Sequence, residues 1–149
     1  MAGRCWELTS FLSEVLDYTP PDISSLLEDK SVTYHDSCAG LRELGIQQQP
    51  RNLLSKGGVQ INELQGTEVC CGFGGTFCAK MPEISEKMVT DKLDAALATG
   101  ADMLLGGDLG CLLNISGRAS RLGKTLEIRH IAEVLAGDLQ EPAIGEGET

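Results

Sequence analysis

Apolar positions along this chain switch between helical spacing and strand-like runs, and each switch marks an element boundary. Leu8, Phe11, Leu12, Val15 and Leu16 recur at helical spacing between Trp6 and Asp17, predicting a short helix with those residues on its apolar side. Tyr18-Thr19-Pro20-Pro21-Asp22 breaks it. Ser31-Val32-Thr33-Tyr34 is β-branched and aromatic, which predicts a first strand. A helix is expected from about Cys38 to Leu44, with Gly45 in the left-handed cap position and Ile46 packing back on Leu41. Pro50 suits the first turn of the next helix, which Gly57-Gly58 ends.

Val59 to Leu64 alternates as a second strand, and Cys70-Cys71-Gly72-Phe73-Gly74-Gly75 reads as a loop. The clearest helical period runs from Pro82 to Thr99, with Ile84, Met88, Val89, Leu93, Ala96 and Leu97 on one face and Gly100 as the stop. Met103-Leu104-Leu105 is a compact apolar run suited to burial on both faces of a parallel sheet. Gly106, Gly107 and Gly110 punctuate the turn into a helix that starts near Cys111 and ends at Gly123. Leu126-Glu127-Ile128 predicts a fourth strand, and Ile131 to Leu135 begins a last helix. This alternation predicts an α/β fold: a Rossmann-like parallel sheet of about four strands with right-handed crossover helices. Residues 1–30 then form an N-terminal connector helix and linker, 31–136 the domain itself, and 137–149 a flexible acidic tail.

Composition narrows the function classes. At 149 residues the chain has room for one domain with a core, and at 4% aromatic content that core must be mainly aliphatic. The formal net charge of −10 argues against nucleic acid and anionic membrane surfaces, which both need a basic footprint. Asp138, Glu141, Glu146 and Glu148 solvate the tail rather than attract a partner. No apolar run approaches the roughly 18 residues needed for a membrane span. The N-terminus lacks a basic region followed by an apolar stretch, so a cytoplasmic location is expected.

In a reducing compartment, six cysteines point to metal or redox chemistry rather than to disulfides. Cys70 and Cys71 are adjacent, a poor arrangement for a structural disulfide between them. Cys38 follows the first predicted strand, Cys70 and Cys71 the second, and Cys111 the third. In a parallel sheet all these loops emerge at the carboxyl edge, where open α/β sheets bind ligands. Thirty-one residues lie between Cys38 and Cys70, and thirty-nine between Cys71 and Cys111; each gap is about one crossover long. Cys38 and Cys111 fall at predicted helix starts, where the positive end of the dipole lowers a thiol pKa. Gly72, Gly74 and Gly75, with Gly66 upstream, let backbone N–H groups approach a bulky anion. An iron–sulfur cluster is such an anion. A structural zinc site and a metal-free thiol redox centre built on Cys70-Cys71 are the other readings of these residues.

Three stretches in order carry a family resemblance: Tyr34-His35-Asp36-Ser37-Cys38, Cys70-Cys71-Gly72-Phe73-Gly74-Gly75-Thr76-Phe77, and Gly107-Asp108-Leu109-Gly110-Cys111-Leu112-Leu113-Asn114-Ile115. They resemble the cysteine-rich "CCG" domain of the iron–sulfur subunits of lactate-utilisation and glycolate-oxidase systems, which are related to the heterodisulfide reductases. The similarity runs from about Arg4 to Ala136 and is to the C-terminal half of such proteins, with Trp6 to Leu16 matching the connector between halves. It implies an oxidoreductase subunit that transfers electrons during oxidation of a 2-hydroxy acid. It also implies a 4Fe–4S cluster on Cys38, Cys70, Cys71 and Cys111, an N-terminal CCG half, and partner subunits carrying iron–sulfur or flavin centres. Two positions depart from the fuller pattern. Asn114 stands where relatives of heterodisulfide reductase have a fifth cysteine, and Cys78 stands where the family has a small residue.

The remaining candidates are read more plainly. Cys78 is expected to be packing, though it lies close enough in sequence to replace a missing ligand; Cys5 stands outside the pattern. His35 is a candidate further metal ligand, a donor or proton relay beside the cluster, or a hydrogen-bonded residue in a strand-end turn. His130 is expected to serve a helix start, and Asp36 and Asp108 to cap the helices that follow them.

Overall fold

The computed structural model describes residues 5–146; residues 1–4 and 147–149, Glu148 among them, lie outside the described residues. Three parallel strands form the sheet: β1 (Val32–His35), β2 (Met103–Gly106) and β3 (Glu127–His130), in that order. Seven helical segments are described. They are α1 (Leu8–Ser10, continuing as a π-helical turn over Phe11–Val15), α2 (Cys38–Glu43), α3 (Gln48–Lys56), α4 (Thr76–Lys80), α5 (Pro82–Ala98), α6 (Leu109–Arg121) and α7 (Ile131–Ala136).

The sheet is covered on both faces, which is why β1 and β2 are buried at every position. Side chains alternate across a strand. Val32, Tyr34, Met103 and Leu105 point into one core with Leu53 and Leu54 of α3 and Val134 and Leu135 of α7. Leu104 and Ile128 point into a second core with Val89, Leu93 and Ala96 of α5 and Leu112, Ile115 and Ala119 of α6. The Rossmann-like α/β expectation therefore holds, with three strands rather than four. Residues 59–64 touch the sheet at a single parallel bridge, Ile61 to Val32. Beyond it Asn62 N–H bonds the Val32 carbonyl at 2.7 Å, Glu63 turns out to Arg51, and Leu64 dives into the second core, so no ladder can extend.

Arg51 explains how that short edge is held. Its guanidinium makes five hydrogen bonds: two to Asp36 (2.9 and 2.8 Å), two to Glu63 (2.8 and 2.9 Å) and one to the Gln47 carbonyl (2.7 Å). It also lies 5.5 Å from the Tyr34 ring centre. Asp36 is thus an ion-pair partner, not the helix cap expected of it. Ser37 caps α2 instead, its Oγ accepting from Gly40 N–H at 3.1 Å. Asp108 does cap its helix, accepting from Cys111 N–H at 3.0 Å. His130 also serves as expected: its Nδ1 accepts from Ala132 N–H while its backbone N–H donates to Glu133.

Two further expectations are corrected. On α1 only Leu12 of the apolar side packs on the first core; Leu8, Phe11, Val15 and Leu16 are exposed and Thr9 and Ser10 buried. On α5 the buried face is rotated by about one residue: Ile84 is exposed, and Ser85 and Lys92 join Val89, Leu93 and Ala96 inside. Both polar insertions serve the cysteine loop, as described below. At the other end, Ala143 is buried, Ile144 N–H bonds the Ile128 carbonyl at 2.9 Å, and Ser116 Oγ bonds the Ile144 carbonyl. That part of the 137–149 stretch lies along α6 and β3.

Replacing Arg51 with Met strands the buried Asp36 carboxylate, whose side chain is 1% exposed. The expected cost is about 3–5 kcal/mol in urea unfolding. Arg51 also holds the Glu63 carboxyl below its ordinary range. Its contribution is complete above the ordinary glutamate value, about pH 4.3, and is lost as pH falls through the depressed folded value. Glu63→Gln should therefore flatten the acid limb of the stability profile.

Candidate metal centre

β1 leads out to one edge at Ile61, and the chain then returns across β1 to place β2 on its other side. The reversal makes a switch point at the carboxyl ends of β1 and β2, where His35 is paired with Gly106. Cys38 opens α2 there and Cys111 lies in the first turn of α6. The loop after residue 64 delivers Cys70 and Cys71 to the same place.

The four sulfurs fall into two pairs. Cys38 and Cys70 Sγ are 3.9 Å apart and half-buried. Cys71 and Cys111 are buried at the top of the second core, their sulfurs within 4.8 Å of each other. The adjacent cysteines thus diverge: Cys70 turns to Cys38, and Cys71 to Cys111. His35, on the same face of β1 as that core, joins the second pair, with a ligating atom of each of the three residues within 4.8 Å of the others.

Contact with Cys111, together with the nearby His35 and the Phe73 N–H, holds the Cys71 thiol well below its ordinary value in spite of burial. The same contact, with burial, pushes Cys111 far up, and burial also raises Cys70. A helix start alone would lower Cys111; a buried neighbour competing for one proton outweighs the helix dipole, whose end Asp108 already occupies.

The loop is pressed between α5 and α6. Gly72 has φ +80°, and a Cβ there would lie 2.9 Å from Met88 Cβ and the Ser85 carbonyl. The buried Ser85 hydroxyl donates to the Gly72 carbonyl at 2.8 Å. On the other side the Phe73 ring occupies the space a Cβ on Gly110 would need. These approaches aim Gly72 N–H at Cys70 Sγ, 3.3 Å away. Gly74 and Gly75 adopt positive φ and lead into α4.

Three supporting residues have roles that their local sequence does not announce. Asn114, in place of a fifth cysteine, donates from Nδ2 to the Cys71 carbonyl at 3.1 Å. Phe73 contributes through its backbone N–H. Lys92, only 2% exposed, donates to the Gly66 carbonyl at 2.7 Å and sets a cation near Cys70 and Cys71; burial pulls its pKa down. For Lys92 the one available signal is a lysine interrupting an apolar helix face. Cys78 stands apart from the four, its thiol on the Gly75 carbonyl at 3.0 Å.

In metal-free protein, diamide is expected to close a Cys38–Cys70 disulfide first. Non-reducing peptide mapping checks this, and a Cys70–Cys71 link as the earliest product would refute the pairing.

Residues 32–116 match the family described as the cysteine-rich domain, CCG. The chain is 48% identical over 136 residues to "Lactate utilization protein A" of Bacillus cytotoxicus and to "Lactate utilization protein A 1" of Bacillus cereus. Each alignment covers 91% of this chain and 56% of the relative, so the chain spans about half the length of these curated proteins. With the matched segment running from β1 through the three cysteine loops into α6, the chain belongs to the CCG cysteine-rich domain family.

Proposed function

We propose that this domain holds an iron–sulfur cluster of the 4Fe–4S class on Cys38, Cys70, Cys71 and Cys111. In this reading it passes electrons within a system that oxidises lactate, glycolate or a similar 2-hydroxy acid. The observation that carries the reading is the arrival of four thiols from three separate loops at one switch point, with backbone N–H groups already directed at two of the sulfurs. The names of the relatives support the lactate context.

The donor set fits such a group: soft sulfur ligands, N–H donors to stabilise bound anionic sulfur, and a buried ammonium nearby. When bound, the cluster supplies one-electron storage. The chain's own residues do the rest. Gly72 and Phe73 N–H groups donate to thiolates, Gly72 being held by Ser85. Asn114 fixes the Cys71 backbone, and Lys92 offsets negative charge in a protein of net charge −10. The proposed partners are other iron–sulfur or flavin subunits and a second CCG half within the remaining length of such proteins, in the cytoplasm. No helix of the described residues is long and apolar enough to cross a membrane.

One observation favours a second reading. His35, Cys71 and Cys111 offer three closely spaced N and S donors, a set that suits a single zinc ion in an assembly module. Anaerobic purification with iron, sulfide and zinc quantification separates the two readings. The expected result is a brown protein with iron and sulfide in equal amounts, and Cys70→Ser or Cys71→Ser should lose most of both while Cys5→Ser keeps them. Colourless protein with stoichiometric zinc would replace the first reading with the second.

A further inference from the structure

We propose that His35 is itself a metal ligand, so that the centre is held by mixed imidazole and thiolate donors rather than by cysteines alone. This rests on the reading of the cysteine loops as an iron–sulfur centre and goes beyond it in adding a nitrogen ligand to the four thiolates of that centre.

His35 is 1% exposed, and neither ring nitrogen is hydrogen-bonded to an oxygen or a nitrogen; the polar atoms beside the ring are sulfurs. A neutral imidazole carries one donor and one acceptor, and leaving either buried without a good partner is costly. Ser13 and Thr33 also bury orphaned hydroxyls, but among the described residues only His35 has its orphaned atoms beside other ligand-type atoms. The neighbours are the sulfurs of Cys71 and Cys111. Sulfur is a weak hydrogen-bond partner, so a thiol beside the ring satisfies at most one of its nitrogens, and that one poorly.

A bound metal resolves these conflicts together. A metal held here would take up the imidazole lone pair and the Cys71 and Cys111 sulfurs as thiolates, their protons passing to solvent. The strand geometry is suited to this. His35 is the last residue of β1, on the face that carries the second core, and its backbone is locked by pairing with β2 at Gly106. The imidazole is therefore presented from a rigid strand end, whereas all four cysteines arrive on loops or helix starts. His35 also answers the substitution at position 114: the Asn114 side chain is engaged by the Cys71 backbone, and a fifth donor enters from β1 instead. Replacing a thiolate by a neutral imidazole removes one negative charge from the ligand set and raises the reduction potential, as in clusters where histidine replaces cysteine.

The chain holds only two histidines, and His130 is engaged at the start of α7. Histidine-specific 15N labelling is therefore close to a single-site probe. The test uses the full chain reconstituted anaerobically with iron and sulfide, with metal content measured first. In the reduced cluster, pulsed EPR should show a directly bonded nitrogen whose coupling changes on 15N-histidine labelling. His35→Cys should keep the iron, lose that coupling, and lower the midpoint potential by at least the 59 mV that marks a tenfold change for a one-electron couple.

A full complement of iron and sulfide without a histidine coupling, or an unchanged potential in His35→Cys, would overturn the proposal while leaving the cysteine centre intact. If the protein holds zinc instead, 15N NMR of the labelled chain decides the same question, through a metal-bound or a free imidazole resonance for His35. Failure to bind either metal would sink the cysteine-centre reading and this proposal together.

Discussion

Val32 to His35 and Met103 to Gly106 run in parallel, side by side, and a parallel pair cannot be closed by a hairpin. Everything between them must leave the sheet and return to the amino end, so both strands release their next residues at the same edge. This delivers Cys38 and Cys111 to one place although seventy-two residues lie between them. The third contribution, Cys70-Cys71, depends on the same pair less directly. Its incoming segment makes one bridge to the free edge of β1, and the Arg51 fork to Asp36 and Glu63 clamps that segment beside the strand end. A single guanidinium thus links the backbone entering the Cys38 loop with the backbone entering the Cys70 loop.

The electrostatic problem at that edge is to gather anionic donors in an acidic protein. The fold solves it with a few well-placed positive groups rather than with net charge. Lys92 is buried against Gly66, and backbone N–H groups of Gly72 and Phe73 point at sulfurs. Contact and burial act on the inner pair in opposite senses, lowering the Cys71 pKa and raising that of Cys111, because two adjacent buried charges repel strongly. The outer pair, Cys38 and Cys70, lies nearer to solvent. Burial therefore differentiates four chemically identical side chains.

Local sequence is most informative where one residue type dictates a backbone state or a run of residues dictates burial. The glycine stops at Gly45, Gly100 and Gly123 all adopt positive φ. The apolar Met103-Leu104-Leu105 run is wholly buried, as its composition requires. Local sequence misleads where a tertiary partner redirects a residue. Asp36 and Asp108 each stand shortly before a cysteine, yet Arg51 captures the first and leaves only the second as a cap. Val59 to Leu64 alternates like a strand, but Glu63 and Leu64 find better partners away from the edge. On α5, Ser85 and Lys92 are inside because the loop beside them presents carbonyls that need donors.

By itself the sequence determined the α/β alternation, the glycine stops, and the placement of four cysteines about one crossover apart, because these follow from local sterics, hydrophobic period and chain length. Only the tertiary structure decided which sulfurs are neighbours, in which direction contact and burial shift each thiol, and that His35 stands buried beside Cys71 and Cys111. Those outcomes depend on distances between residues far apart in the chain and on the burial that follows from packing. Neither is encoded in any local stretch of residues.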